Sequence, residues 1–163
     1  MTDKLDWKAA IWAGIIAGAV FMALEMVLVG TIGGQSPWGP PRMIAAIAMG
    51  DGVLPPPATF DIGIMMVAMI VHFLLSILLG VVLGWAISHW RMTLMNAIIA
   101  GIVFGLVVYF VGFYVMTGIF PWFAMARGGI SIFAHAVFGL TLGWAYHSIA
   151  KPHAIERASE SAG

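Results

Sequence analysis

Four apolar runs, each long enough to cross a lipid bilayer, decide most of what this chain can become. They cover approximately residues 7–30, 61–89, 92–117 and 127–150. About 20 residues of helix span the hydrocarbon core. A helix also satisfies its own backbone hydrogen bonds, as lipid requires of any spanning segment. Composition points the same way: 62% of the chain is hydrophobic and 9% charged, where a soluble domain carries roughly a quarter charged residues. The expected fold class is all-α, an integral membrane four-helix bundle. Residues 1–150 form one four-span domain with a long outer loop at 31–60, and residues 151–163 form a polar, mobile cytoplasmic tail. The first run reads as a retained anchor. It is too long for a signal peptide, and its flank mixes Asp3 and Asp6 with Lys4 and Lys8.

The basic residues give the orientation. Lys4, Lys8, Arg91, Lys151 and Arg157 fall on one side, and only Arg42 and Arg127 on the other. This asymmetry places both termini in the cytoplasm, and the expected location is a bacterial inner membrane. Trp7, Trp12, Trp85, Trp90 and Trp144 suit an inner interfacial belt, with Trp38 and Trp122 at the outer interface. Lysine and arginine balance aspartate and glutamate, which excludes a basic face for nucleic acid. The absence of cysteine excludes disulfides, thiolate metal sites, cysteine nucleophiles and covalently attached c-type haem.

Within the runs, small residues recur at every fourth place, which keeps them on one face of a helix. One column is His72, Ser76, Gly80, Gly84, Ser88; another is Ser131, His135, Gly139, Gly143, His147. Both contain Leu-Gly-Trp-Ala in the same register. The first and third spans match in turn, with Gly14 and Gly18 aligning with Gly101 and Gly105. The chain therefore reads as two parallel two-helix repeats around an axis along the membrane normal. The glycine columns are helix-packing faces, directed at the bundle interior or at a partner subunit. The tight turn near Arg91 makes the second and third spans antiparallel neighbours. Prolines 37, 40, 41 and 55–57 break the outer loop, leaving Arg42–Met49 as a short interfacial helix, a lid or a docking surface.

Polar residues inside the spans mark where a function would sit. Glu25 lies roughly 8 Å from the outer end of its helix, His135 roughly 12 Å and His72 roughly 16 Å. All three fall in the outer half, with Met22, Met69, Ser76, Ser131 and Tyr109 able to join them. The blandest reading is structural: Glu25 hydrogen-bonds a histidine or serine and locks two helices together. His89, His147 and His153 read as structural or interfacial. The leading functional reading is a cation or proton site. Glu25 is its titrating group, His72 and His135 its ligands, and Met22 and Met69 its thioethers. Met-x-x-x-Met at 22–26 and 65–69 suits Cu(I), and with Gly-x-x-x-Gly is similar to the helices of the high-affinity copper transporters. A second reading is a single b-type haem in electron transfer, with His72 and His135 as axial ligands. Two stacked haems are disfavoured, because the steps from His72 to His89 and from His135 to His147 differ, turning the second histidine away. A third reading is an accessory or assembly subunit with no ligand. No nucleophile–base set, phosphate loop or carboxylate pair supports an enzyme.

The stretches 36–47 (SPWGPPRMIAAI), 54–61 (LPPPATFD) and 120–127 (FPWFAMAR) resemble a group of small four-span bacterial inner-membrane proteins of unknown function, some automatically labelled sodium:proline symporter. The resemblance covers nearly the whole chain and carries over no site residue. The resulting expectation is a small, non-enzymatic inner-membrane transport or binding protein. Its partners are membrane lipid and either further copies of itself or a larger membrane complex.

Overall fold

A computed structural model describes residues 4–160, with the side chains of 151–160 left out. Its helices are α1 (Trp7–Thr31), α2 (Gly39–Met49), α3 (Ile62–His89), α4 (Leu94–Phe110) and α5 (Gly129–Glu160). Four helical segments are long and apolar enough to cross a membrane: Trp7–Thr31, Ile62–His89, Leu94–Gly118 and Gly129–Ala150. The protein is an all-α, multi-pass membrane bundle with no strand among the described residues. Helix α5 continues beyond its apolar span into the stretch read from the sequence as a mobile tail. Residues 161–163 and the side chains of Lys151, His153 and Arg157 lie outside the described residues.

Short polar residues start the spans. The Asp6 carboxylate accepts from the Ala9 N–H, Asp61 from Ile64 and the Thr93 hydroxyl from Asn96. Each supplies one of the backbone acceptors that a helix N-terminus lacks. Helix α2 begins three residues earlier than the sequence suggested. Pro40 and Pro41 open it instead of blocking it, because the first helical positions need no intrahelical N–H donor. The span of α4 also departs from a simple helix. At Val111–Val115 it widens into a π-helical turn and then tightens into a 3₁₀ turn at Met116–Gly118. Such a widened turn frees carbonyls, and the Arg127 Nε–H donates to that of Phe113 at 2.7 Å.

Packing follows the glycine columns. Helix α1 lies between α3 and α5, and α4 lies along α5. Between α1 and α3, a Cβ built on Gly14 would stand 2.7 Å from the Ser76 carbonyl oxygen, and one on Gly80 would stand 2.6 Å from that of Ala10. Between α4 and α5 the approach is closer still. A Cβ on Gly101 or on Gly139 would collide with the carbonyl of the other, and a Cβ on Gly105 with that of His135. Both repeats therefore make the same kind of backbone-to-backbone contact.

The contacts between the repeats are unequal. Helices α1 and α5 pack closely, whereas α3 and α4 scarcely touch although a short turn joins them. This corrects the expectation that the turn makes them packed neighbours. Each is drawn to its own glycine partner, α3 to α1 and α4 to α5, and the two diverge. Tyr146, buried on α5, ties the turn end together: its hydroxyl lies 2.6 Å from the Ser88 hydroxyl and accepts from the Asp6 N–H at 3.1 Å.

The glycine contacts are directly testable. Gly139→Ala should destabilise the protein by about 1–3 kcal/mol, as overpacking does. Gly112→Ala, where an added Cβ meets nothing within 4 Å, should stay within about 0.5 kcal/mol of the parent. Reversible unfolding in mixed micelles measures both, and equal costs would contradict the packing described.

Candidate functional site

The divergence of α3 from α4 leaves a cleft of about 500 Å³ between them. Leu75 and Leu78 of α3 and Val107 and Val111 of α4 form its rim and are exposed, so it opens sideways, toward what would be lipid. Six phenylalanines line it, at positions 21, 104, 113, 120, 123 and 138. At the end carrying the long loops, Ile44 and Ile47 of α2 close it together with Phe120 and Phe123. The Trp122 indole N–H donates to the Met43 carbonyl at 3.0 Å, fastening one long loop to the other over this end. Loop arginines hold the same region. Arg42 donates to the Thr59 and Val53 carbonyls at 2.9 Å each, and Arg127 lies 4.3 Å over the Tyr114 ring.

His72, Ser76 and His135 are the polar residues among the cleft walls. The helices that pack through glycine also fix both imidazoles. His72 Nε2–H donates to the Gly18 carbonyl at 2.8 Å, across the close α1–α3 contact. His135 Nδ1–H donates to the Ser131 carbonyl at 2.7 Å, one turn back on its own helix. Between them Phe21 of α1 stacks on His72, with ring centroids 5.8 Å apart, and stands edge-on to His135 at 4.7 Å. Tyr109 and Phe113 complete the collar around His135 at 5.6 and 5.4 Å. The π-helical turn carries Phe113, so the irregularity in α4 belongs to the site, as such turns often do.

The structure divides the cluster expected from the sequence. Glu25 is buried but is not part of the cleft wall; its carboxyl and the Ser131 hydroxyl share a hydrogen bond that joins α1 to α5. Glu25 lies two turns beyond Gly18, about 10 Å along the axis, and α1 faces the start of α5 there. Met22 is buried and Met69 half-buried, and neither lines the cleft. Tyr109 is also buried, and its hydroxyl accepts from the Gly128 N–H at 3.3 Å. Among the described residues, no three of histidine, cysteine, aspartate and glutamate come together to hold a metal ion. Glu25, His72 and His135 are therefore not gathered as one ligand set. A haem plane between His72 and His135 would have to displace Phe21, which packs on both. Of the other histidines, His89 stacks on Trp85 at 5.2 Å and is exposed, and His147 is buried on α5.

Three features had no counterpart in the sequence reading: the cleft itself, Phe21 as the ring shared by both histidines, and Tyr146 as the knot at the turn end. Phe21 had a signal, since it lies three residues after Gly18 and near the same face of α1. No family model, curated protein or solved structure matches this chain, and the functional reading below rests on its own geometry.

The Glu25–Ser131 contact makes a measurable prediction. Glu25→Ala and Ser131→Ala should each cost about 1–3 kcal/mol, because each leaves a buried polar partner unpaired. The double variant should cost less than their sum, with a coupling of about 0.5–3 kcal/mol. Strict additivity in micellar unfolding would show that the two side chains do not act as a pair.

Proposed function

We propose that the protein is a small membrane-embedded binding protein for a lipid-soluble amphiphile that enters sideways between α3 and α4. One observation carries the reading: an apolar cleft of about 500 Å³, open toward lipid at its rim, with two imidazoles in its walls. Ligand sites are typically 300–1,000 Å³, mostly apolar, with a few polar groups that fix orientation. An open apolar seam in a bilayer is filled by something, and lipid chains alone give no reason to place histidine there. Binding, not catalysis, is the role assigned. Each imidazole holds one ring position on a backbone carbonyl, and no carboxylate stands in the cleft to form an acid–base pair with either. The cation or proton reading is less well supported, because Glu25 pairs with Ser131.

The chain would sit in a bacterial inner membrane with both termini cytoplasmic, which the distribution of basic residues supports. Arg42, which donates to the Thr59 and Val53 loop carbonyls, and Arg127, which donates to the Phe113 carbonyl of the π-helical turn, both lie at the end assigned as outer. The exposed tryptophans at positions 7, 12, 85, 90 and 144 fit lipid contact near the opposite interface.

Two measurements test this. Wild-type protein reconstituted in nanodiscs should retain an amphiphile distinct from bulk phospholipid, detected by organic extraction and mass spectrometry. Val108→Trp, which fills the cleft, should lower its amount at least about tenfold, the effect of losing some 1.4 kcal/mol of binding. Val103→Trp, on the exposed side of α4, should leave it unchanged. Retention of bulk phospholipid alone, equal in all three proteins, would refute the binding role. For orientation, the chain lacks cysteine, so single cysteines report cleanly. Asp51→Cys should react with a membrane-impermeant maleimide in intact cells and Trp90→Cys only after permeabilisation; the reverse pattern would invert the topology.

A further inference from the structure

From the hydrogen bonding of the two histidines we infer that the cleft selects an amphiphile whose ring carries a hydroxyl donor, such as a long-chain phenol or hydroquinone. The inference rests on the cleft being a ligand site and names the chemistry that site would take.

A neutral imidazole has one donor and one acceptor nitrogen, and the bond made by one decides the role of the other. A carbonyl oxygen can only accept. The nitrogen facing it therefore carries the proton: Nε2 of His72, against Gly18, and Nδ1 of His135, against Ser131. The remaining nitrogens, Nδ1 of His72 and Nε2 of His135, then hold lone pairs. An imidazolium at either place would need a counter-charge. The nearest acid read from the sequence, Glu25, is instead bonded to Ser131 outside the cleft wall. Among the described residues no buried side-chain nitrogen or oxygen lacks a partner, so neither lone pair is sealed off in the packed interior.

The two histidines thus reach this state by opposite tautomers, and each keeps an acceptor nitrogen on a ring that lines the cleft. A head group with only carbonyl or ether oxygens would meet lone pair with lone pair. A hydroxyl would donate to either nitrogen. The surroundings of the imidazoles favour a flat head. Phe21 and Phe113 already stand edge-on to His135, at 4.7 and 5.4 Å, and an aromatic head can add a further edge-on or offset contact. The apolar rim of the cleft takes the chain. Ser76, also in the wall, can donate or accept and does not oppose this preference.

The test uses a matched pair, radiolabelled 4-decylphenol and its methyl ether 4-decylanisole, which differ by the donor alone. Each is titrated into phosphatidylcholine nanodiscs carrying the full chain, with empty nanodiscs subtracting partition into lipid. The phenol should bind saturably and about two- to tenfold tighter than the ether, the worth of one hydrogen bond. In His72→Phe with His135→Phe the ratio should fall to about one. The wild-type comparison decides the matter even where that variant fails to fold. Equal affinities, or a tighter ether, would overturn the inference while leaving the cleft as a ligand site. Saturable binding of neither probe would overturn the inference; a cleft ligand retained on extraction in that case would preserve the site with a different occupant.

Discussion

Backbone-to-backbone approach through glycine is the contact on which this fold depends. In water, two apolar helices associate because water expels them. In a bilayer the surrounding chains are as apolar as leucine, so association rests on close packing and on hydrogen bonds. Gly101 and Gly139 let α4 and α5 meet at their carbonyls, and Gly14 and Gly80 do nearly the same for α1 and α3. Large side chains at these positions would separate the helices and lose the many small dispersion contacts that close packing gathers. The glycines therefore select which helices pair. Since each repeat closes tightly on itself, the seam between α3 and α4 is left with little contact, far less than the α1–α5 seam. The cleft is the consequence of that unequal distribution.

The same packing decides how the buried polar groups are satisfied. Glycine carries no side chain to shield its carbonyl, so Gly18 can receive the His72 N–H from the neighbouring helix at 2.8 Å. His135 finds its carbonyl one turn back on α5. Glu25 and Ser131 satisfy each other across α1 and α5. The His72–Gly18 and Glu25–Ser131 bonds also cross helix contacts, so these polar residues act as fasteners at places where lipid would otherwise penalise them. The bland structural reading of Glu25 is thus the one its geometry matches.

What the sequence disclosed follows from which signals are local. Span positions depend on runs of apolar residues, and the all-α membrane bundle was legible from them. The glycine columns were legible because four-residue spacing fixes a helix face without reference to the partner. The partner itself was not legible. A short turn after His89 implies neighbours, yet α3 and α4 diverge because each has a stronger partner elsewhere. Depth estimates placed Glu25, His72 and His135 in the same half of the membrane, spread over roughly 8 Å along its normal. They could not say on which side of α1 each would fall, and α1 stands between the α3 and α5 contacts. Pro40 and Pro41 illustrate the same limit: the residue type restricts the backbone but leaves open whether it ends a helix or begins one.

The duplication explains why one seam, and not two, became a cleft. Perfect repeats would relate the α1–α5 contact to the α3–α4 contact by the pseudo-two-fold axis, and both would be equally close or equally open. The asymmetry enters with a few residues. Glu25 has Gly112 as its counterpart in the repeat register, so only one repeat brings an acid to clasp the other. Histidine and serine exchange places between columns, with His72 and Ser76 on α3 against Ser131 and His135 on α5. The exchange puts Ser131 opposite Glu25 and closes that seam. It also lowers His135 by one turn to the level where Phe21 packs on both imidazoles. The same few substitutions that close the bundle on one side thereby carry both histidines to the side that stays open.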